Sequence, residues 1–267
     1  RRVNNSIPSF AELHLPNIAQ KVASFKEGLI LVAGPTSSGK STTLAAIIQH
    51  INETRKCHII TIEDPIEYIF SDNKSFINQR EVGIDVADFH QALKYMVRQN
   101  PDVILIGEMR DAQSMEAALT ASETGHLVLG TVHASTAAQS ISRIIDLFPL
   151  EKQDTTRQNL TMNLNAVFCQ RLMPAAKKEI RMVPAVEVML NSPMIQKVIR
   201  NKEDNKITDV IRGSLEEGMQ DFNYSIYQLI KNGLVTEETG LKFSPNPDQL
   251  KMYLKGIFLT DEHKIID

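Results

Sequence analysis

The sequence predicts an α/β protein: a mostly parallel sheet with helices on both faces, followed by a set of short helices. Three observations carry this. Short apolar runs such as "LILVA" (29–33) and "DVILIG" (102–107) are continuous rather than alternating, as expected for strands covered on both sides. Between them lie stretches with apolar residues at helical spacing, so strand and helix alternate. Past Leu190 the strand-like runs stop and short amphipathic segments take over. With 267 residues, 42% of them hydrophobic, the chain can bury a substantial core.

Residues 1–24 read as a lead-in with one short helix, in "NNSIPSFAELHLP". Residues 25–190 then carry the alternating pattern. After "LILVA", residues Leu44, Ile47, Ile48 and Ile51 mark a helix face. "CHIITI" (57–62) is a second strand. Asp88 is placed to cap a helix bearing Phe89, Leu93, Met96 and Val97 on one side. "DVILIG" is the third strand. Asp111 opens a helix with Met115, Ala118, Leu119 and Ser122 on a face, ending near Gly125. "HLVLGTV" (126–132) is the fourth strand. In residues 191–267 the segments "PMIQKVIR", "ITDVIRGSLEEGM", "FNYSIYQLIKNG" and "DQLKMYLKGIFL" read as short helices separated by Gly, Pro and Asn.

Composition narrows the function. A formal net charge of -3 gives no general attraction to nucleic acid, and no basic stripe or aromatic platform suggests a translocase. Cys57 and Cys169 are far apart, make no metal pattern, and read as reduced, buried thiols of a cytosolic protein. No apolar run is long enough to cross a bilayer, and no signal peptide is visible. The first residues are Arg1-Arg2 rather than methionine, so a further segment is expected upstream.

The most specific motif is "GPTSSGKST". Gly34 to Ser41 fits G-x-x-x-x-G-K-[ST], with a strand before it and a helix after it, as a phosphate-binding loop requires. Glycines let successive backbone N–H groups converge on phosphate oxygens, and the helix N-terminus adds positive potential. The expected binding residues are Gly34, Thr36, Ser37, Ser38, Gly39, Lys40, Ser41 and Thr42. Lys40 supplies a charge for the β- and γ-phosphates of ATP, and Ser41 a hydroxyl for Mg²⁺.

Hydrolysis needs more: a placed metal and a water aimed at the γ-phosphate. "IITIEDPIEY" delivers Glu63 and Asp64 just past one strand, and "VILIGEMRD" delivers Glu108 just past another. Ligands of open α/β sheets sit at the carboxyl ends of strands, the same rim as the phosphate loop. Glu108 is therefore assigned to the magnesium shell or its waters, and Glu63 to polarising the attacking water; the sequence leaves the two roles interchangeable. Asp64 and Glu67 are read as structural. His133, at the rim end of its strand, is placed to sense the γ-phosphate, whereas His126 lies at the opposite end. Arg98 and Arg110 flank the third strand, and each is a candidate for a phosphate of its own subunit or a neighbour's. Met96, Met115, Met162 and Met189 are scattered and read as core filler.

In order and spacing, "GPTSSGKSTTLAA", "HIITIEDPIEY", "NQREVG", "PDVILIGEMRD" and "ETGHLVLGTVHA" resemble the Walker A, Asp box, Walker B and His box of secretion-superfamily ATPases, specifically the type IV pilus retraction group. The resemblance runs from about Arg1 to Gly233. It implies a RecA-like P-loop NTPase with a three-layer core and a helical C-terminal subdomain, preceded by a PAS-like domain that supplies arginines to a neighbour's site. It also implies a homohexameric ring at the cytoplasmic face of the bacterial inner membrane, working on a membrane platform protein, alongside a second retraction ATPase, to withdraw pilin. Assembly and type II secretion ATPases share the boxes but carry a four-cysteine zinc insertion after the "QRL" segment; here "CQRLMPAAKKEIRMVPAVEVML" has no such set. The retraction motif is matched by "MIQKVIRN" (194–201) at Ile195, Ile199 and Arg200, with Gln196 and Asn201 departing from it. A ring-forming regulator that does not hydrolyse ATP is the alternative from another class.

Overall fold

The computed structural model describes residues 6–258, apart from the side chains of His90, Lys94 and Val97. The expectation for Val97 and the segments 1–5 and 259–267 thus lie outside the described residues. The frame is one seven-stranded sheet in the order β3-β2-β4-β5-β1-β6-β7. Its strands are β1 (Gly28–Ala33), β2 (His58–Glu63), β3 (Phe76–Glu81), β4 (Val103–Ile106), β5 (Leu127–Val132), β6 (Leu164–Pro174) and β7 (Met182–Leu190). All neighbours are parallel except β6 and β7, which form an antiparallel hairpin at one edge.

β1 is fully buried, as its unbroken apolar run predicts. Its side chains alternate between two hydrophobic clusters. Ile30 and Val32 face α1 (Ile18–Ala23) and α2 (Lys40–Thr54), where Val22, Leu44, Ile47, Ile48 and Ile51 pack. Leu29, Leu31 and Ala33 face a larger cluster on the other side. There α3 (Phe89–Met96), α4 (Ala112–Glu123), α5 (Ala137–Asp146) and α6 (Leu150–Asn163) contribute Leu93, Met115, Ile141 and Leu160. The same cluster continues into α7 (Pro193–Arg200), α8 (Ile207–Gly213) and α9 (Phe222–Lys231) through Ile195, Ile211 and Ile226. Two short helices, α10 (Glu237–Phe243) and α11 (Pro247–Leu254), are the last elements of the described residues, with Leu250 buried in that cluster. The result is the RecA-like α/β core with helical parts.

The strands read from the sequence are present within a residue or so, but two of the C-terminal segments are shorter as helices: "ITDVIRGSLEEGM" is α-helical only to Gly213 before a 3₁₀ turn, and "DQLKMYLKGIFL" only to Leu254. The Asp88 and Asp111 caps are real: each carboxylate accepts a backbone N–H three residues on, from Gln91 and Ser114 respectively, at 2.7 and 2.8 Å. Several details differ. The lead-in helix is α1, just after the quoted stretch, which itself forms a turn at 10–14. Met162 is 76% exposed on α6 and is no core filler, unlike Met96, Met115 and Met189. Cys57 is only half-buried, with its sulfur against Ser75 Oγ; Cys169 is fully buried. β3, β6, β7, α5, α6 and α10 have no counterpart in the sequence reading. β3 is a polar edge strand, "FINQRE", and α6 has no apolar stripe, its buried residues being Thr156, Leu160 and Thr161.

Register decides where the site lies. Ala33 pairs with Val132, Ile106 with Gly130, and Ile62 with Ile106, so the carboxyl ends of β1, β5, β4 and β2 finish level. Gly34, His133, Glu108 and Glu63 leave the sheet along that one rim.

Candidate nucleotide site

The phosphate loop is shaped by sterics at its glycines. Gly34 has φ +151°, and a Cβ there would meet Ser38 Oγ at 2.4 Å and the Gln170 carbonyl oxygen at 2.7 Å. Ser37 and Gly39 are both left-handed, at φ 62° and 90°, which curls the chain into α2. Gly39 occupies the N-cap position and offers no side chain to the first N–H groups of the helix, leaving them to an anion. Ser38 Oγ is buried without a hydrogen-bond partner, a polar atom turned into the loop. Lys40 Nζ donates to the carbonyl oxygens of Gly34 and Pro35, both at 2.9 Å, which arches the side chain over the loop. Burial lowers its pKa, and Glu108 and Glu67 partly offset this.

The acids converge as predicted. Glu108 accepts from Arg110 at 2.5 Å and from His133 Nε2 at 2.7 Å, one partner on each oxygen. The Arg110 hydrogen bond and charge, with the His133 contact, hold its carboxyl below the usual range despite some burial. Glu63 is in the opposite situation. Burial raises its pKa, although Thr61 Oγ1 at 2.7 Å and Gln79 Nε2 at 3.2 Å both donate to Oε1. Two glutamates thus share one cleft with their proton affinities pushed apart by their surroundings. Together with Thr36, Ser37, Lys40 and Ser41 they line a cavity of about 360 Å³.

Other expectations resolve individually. Ser41 Oγ donates to Glu67 Oε1 at 3.3 Å, and the Thr42 hydroxyl pairs with that of Tyr68 at 3.0 Å. Glu67, read from sequence as structural, therefore touches the site, as does Tyr68; the loop after β2 folds back over the start of α2, which no spacing rule reveals. His126 bonds the Ala121 carbonyl and Thr124 at the far end of β5, a structural role. Arg98 is not brought to the cleft. It lies exposed in a single 3₁₀ turn before β4, at the strand's amino end, whereas Glu108 follows its carboxyl end. Within this subunit the sheet separates the two, so only the neighbour-directed reading of Arg98 stands as a proposal. Arg143 was not singled out, yet its guanidinium donates to the His133 carbonyl oxygen. Among the described residues, no helix is long and apolar enough to span a membrane, and no group of three or more His, Cys, Asp or Glu is arranged to hold a metal on its own.

Comparison with known proteins identifies the family. The family model described as type II/IV secretion system protein matches residues 9–208. The chain is 41% identical over 255 residues to the type IV pilus ATPase PilU of Pseudomonas aeruginosa, covering 96% of this chain and 66% of that protein. It is 39% identical over 250 residues to the type IV pilus retraction ATPase PilT of the same organism, covering 93% and 72% respectively. A crystal structure of the pilus retraction motor PilT with bound ADP superposes with a TM-score of 0.85 at 46% identity, over 94% of this chain and 71% of that one. The chain thus spans about two thirds of the length of the curated relatives it matches. It belongs to the type II/IV secretion system protein family and, within it, to the PilT- and PilU-like pilus ATPases.

Proposed function

We propose that this chain is the motor portion of an ATPase that retracts type IV pili, acting as a homohexameric ring against a platform protein at the cytoplasmic face of the inner membrane. The observation that carries the reading is the convergence of the phosphate loop, Glu63, Glu108 and His133 on one rim of the sheet, in a chain so similar to a PilT retraction motor. The loop amides and Lys40 bind the triphosphate. Ser41 and Glu108 fit Mg²⁺, directly or through its waters, and the metal would neutralise charge developing on the phosphoryl oxygens. Glu63, with its raised proton affinity, takes the proton of the water that attacks the γ-phosphorus as the bond to ADP breaks. His133 holds Glu108 from the side on which β5 ends, so a change at the γ-phosphate reaches β5 through that pair.

Retraction is favoured over assembly by the β6–β7 hairpin. Its connection is the short stretch 175–181, which holds no cysteine, so the zinc insertion of assembly ATPases has no place there. In the motif-bearing α7, Ile195 and Ile199 are fully buried packing residues, while Arg200 is exposed and available to a partner. Deleting the gene and counting surface pili tests the direction of movement: excess, immobile pili support retraction, and loss of pili contradicts it. A phosphate-release assay on the purified protein separates a motor from a ring-forming regulator that binds ATP without turnover.

A further inference from the structure

Glu187 lies on β7, away from the cleft, yet only 3% of it is exposed. A glutamate at such a place needs a physical reason, because burying a carboxyl is costly unless its oxygens are engaged. Its Oε1 accepts the backbone N–H of Ala137 at 2.6 Å. Ala137 is the first residue of α5, and α5 follows the His133 end of β5 after the short segment 134–136. Apart from the His133–Glu108 pair in the cleft, the other restraints on this turn are local. Thr136 Oγ1 accepts from the Gln139 N–H at 3.2 Å, Gln139 Oε1 accepts from the Ser135 N–H at 3.2 Å, and Arg143 donates to the His133 carbonyl. Glu187 alone among these ties the turn to a distant part of the chain.

The strand that carries Glu187 is itself gripped by the C-terminal helical region. The Val186 N–H donates to Ser225 Oγ at 2.9 Å, Gln220 Nε2 donates to the Val186 carbonyl at 2.7 Å, and the Val188 N–H donates to the Gln220 carbonyl at 2.8 Å. A continuous run of bonds therefore leads from α9, through β7 and Glu187, to the turn that fixes His133.

We propose that Glu187 is a positioning residue for ATP hydrolysis, holding the start of α5, and through it His133 against Glu108, in register with the C-terminal helices. The inference rests on the reading of the cleft as an ATPase site. Ionised Glu187 makes the stronger, charge-assisted bond to the Ala137 N–H and complements the α5 N-terminus. Burial lifts its carboxyl to about 7. Asp221 raises it further, while the Ala137 N–H, Arg171 and Arg212 oppose the rise. Cys169, its cross-strand partner on β6, and Ser140 on α5 complete the surroundings; the Cys169 thiol is itself pushed well up by burial, so it contributes no charge near neutrality.

The test is steady-state hydrolysis by the purified wild type, Glu187→Gln and Glu187→Ala, each checked for folding by circular dichroism, with Lys40→Ala as the dead reference. If the wild type hydrolyses no more ATP than Lys40→Ala, the ATPase reading fails rather than this proposal. Otherwise Glu187→Ala is expected to lower kcat about tenfold with KM for ATP nearly unchanged, since the phosphate loop is untouched. Glu187→Gln keeps an acceptor for Ala137, so it should retain most of the activity near pH 8 and lose the part of the acid-side fall that centres near pH 7, leaving the fall that Glu63 contributes. Unchanged kcat in folded Glu187→Ala would overturn the proposal. So would a wild-type pH profile in Glu187→Gln, which keeps the assay decisive if the alanine variant does not fold.

Discussion

At the scale of single residues, the phosphate loop tolerates no side chain at Gly34, because Ser38 Oγ and the Gln170 carbonyl already fill that space. Gly34→Ala should displace the loop and abolish binding of a fluorescent ATP analogue while strand β1 keeps the protein folded. Lys40→Ala should also abolish that binding. Glu108→Gln should keep binding and lose turnover by a factor of about a hundred or more, the scale of removing a charged catalytic group; unchanged phosphate release would remove Glu108 from catalysis. Glu63 gives a pH prediction with a definite sign. Its proton affinity is raised, so as a base it is protonated and silenced at a higher pH than an ordinary glutamate. Phosphate release should fall on the acid side within that raised range, and Glu63→Gln should be slow at every pH. The loop residues, Glu63, Glu108 and His133 were legible in the sequence because a motif fixes local backbone and a strand end fixes a rim. Glu67, Tyr68 and Arg143 were not, since each reaches the site from a loop or helix face whose docking depends on tertiary packing.

At the scale of elements, some helix starts are set by a single acid. Asp111 caps α4 through the Ser114 N–H, and Asp111→Ala should lower stability by about 1 kcal/mol in urea unfolding. Asp221 does more. It is buried, caps α9 through the Tyr224 N–H at 2.8 Å, and accepts from Arg212 Nε at 2.8 Å. Asp221→Ala removes the cap and leaves Arg212 with only its longer contact to Asp209 at 3.5 Å, so it should cost several-fold more than Asp111→Ala. Such caps explain why α4, α7 and α9 were readable: an acid or serine followed by an apolar stripe announces them, whereas α8 follows Lys206 and was legible from its apolar residues alone. β3 was not, being a polar edge strand paired on one side only, with Phe76 58% exposed. β6 was obscured by Gln170 and Arg171, which interrupt its apolar run although Gln170 is itself buried and bonded to Thr43 Oγ1 at 2.7 Å.

At the scale of the whole molecule, stability should depend on pH through Glu187. Its carboxyl ionises near 4.5 when unfolded and at about 7 when folded, so the folded state holds the proton more tightly. Stability is then greatest below about 4.5 for this group and declines as pH rises towards 7, by about 1 kcal/mol per pH unit at most. Urea unfolding at several pH values should show this slope in the wild type and not in Glu187→Gln. The α/β class and the strand–helix alternation were visible from apolar runs alone, but the strand order was not, because pairing β1 with both β5 and β6 joins segments far apart in the chain. The same is true of the shared packing across Leu190, where Val183, Ala185 and Met189 of β7 belong to one cluster with Ile195, Ile211, Phe222 and Ile226. A chain cut after Leu190 would bare an oily flank on the sheet, and expression of such a truncation should yield inclusion bodies instead of a smaller working enzyme.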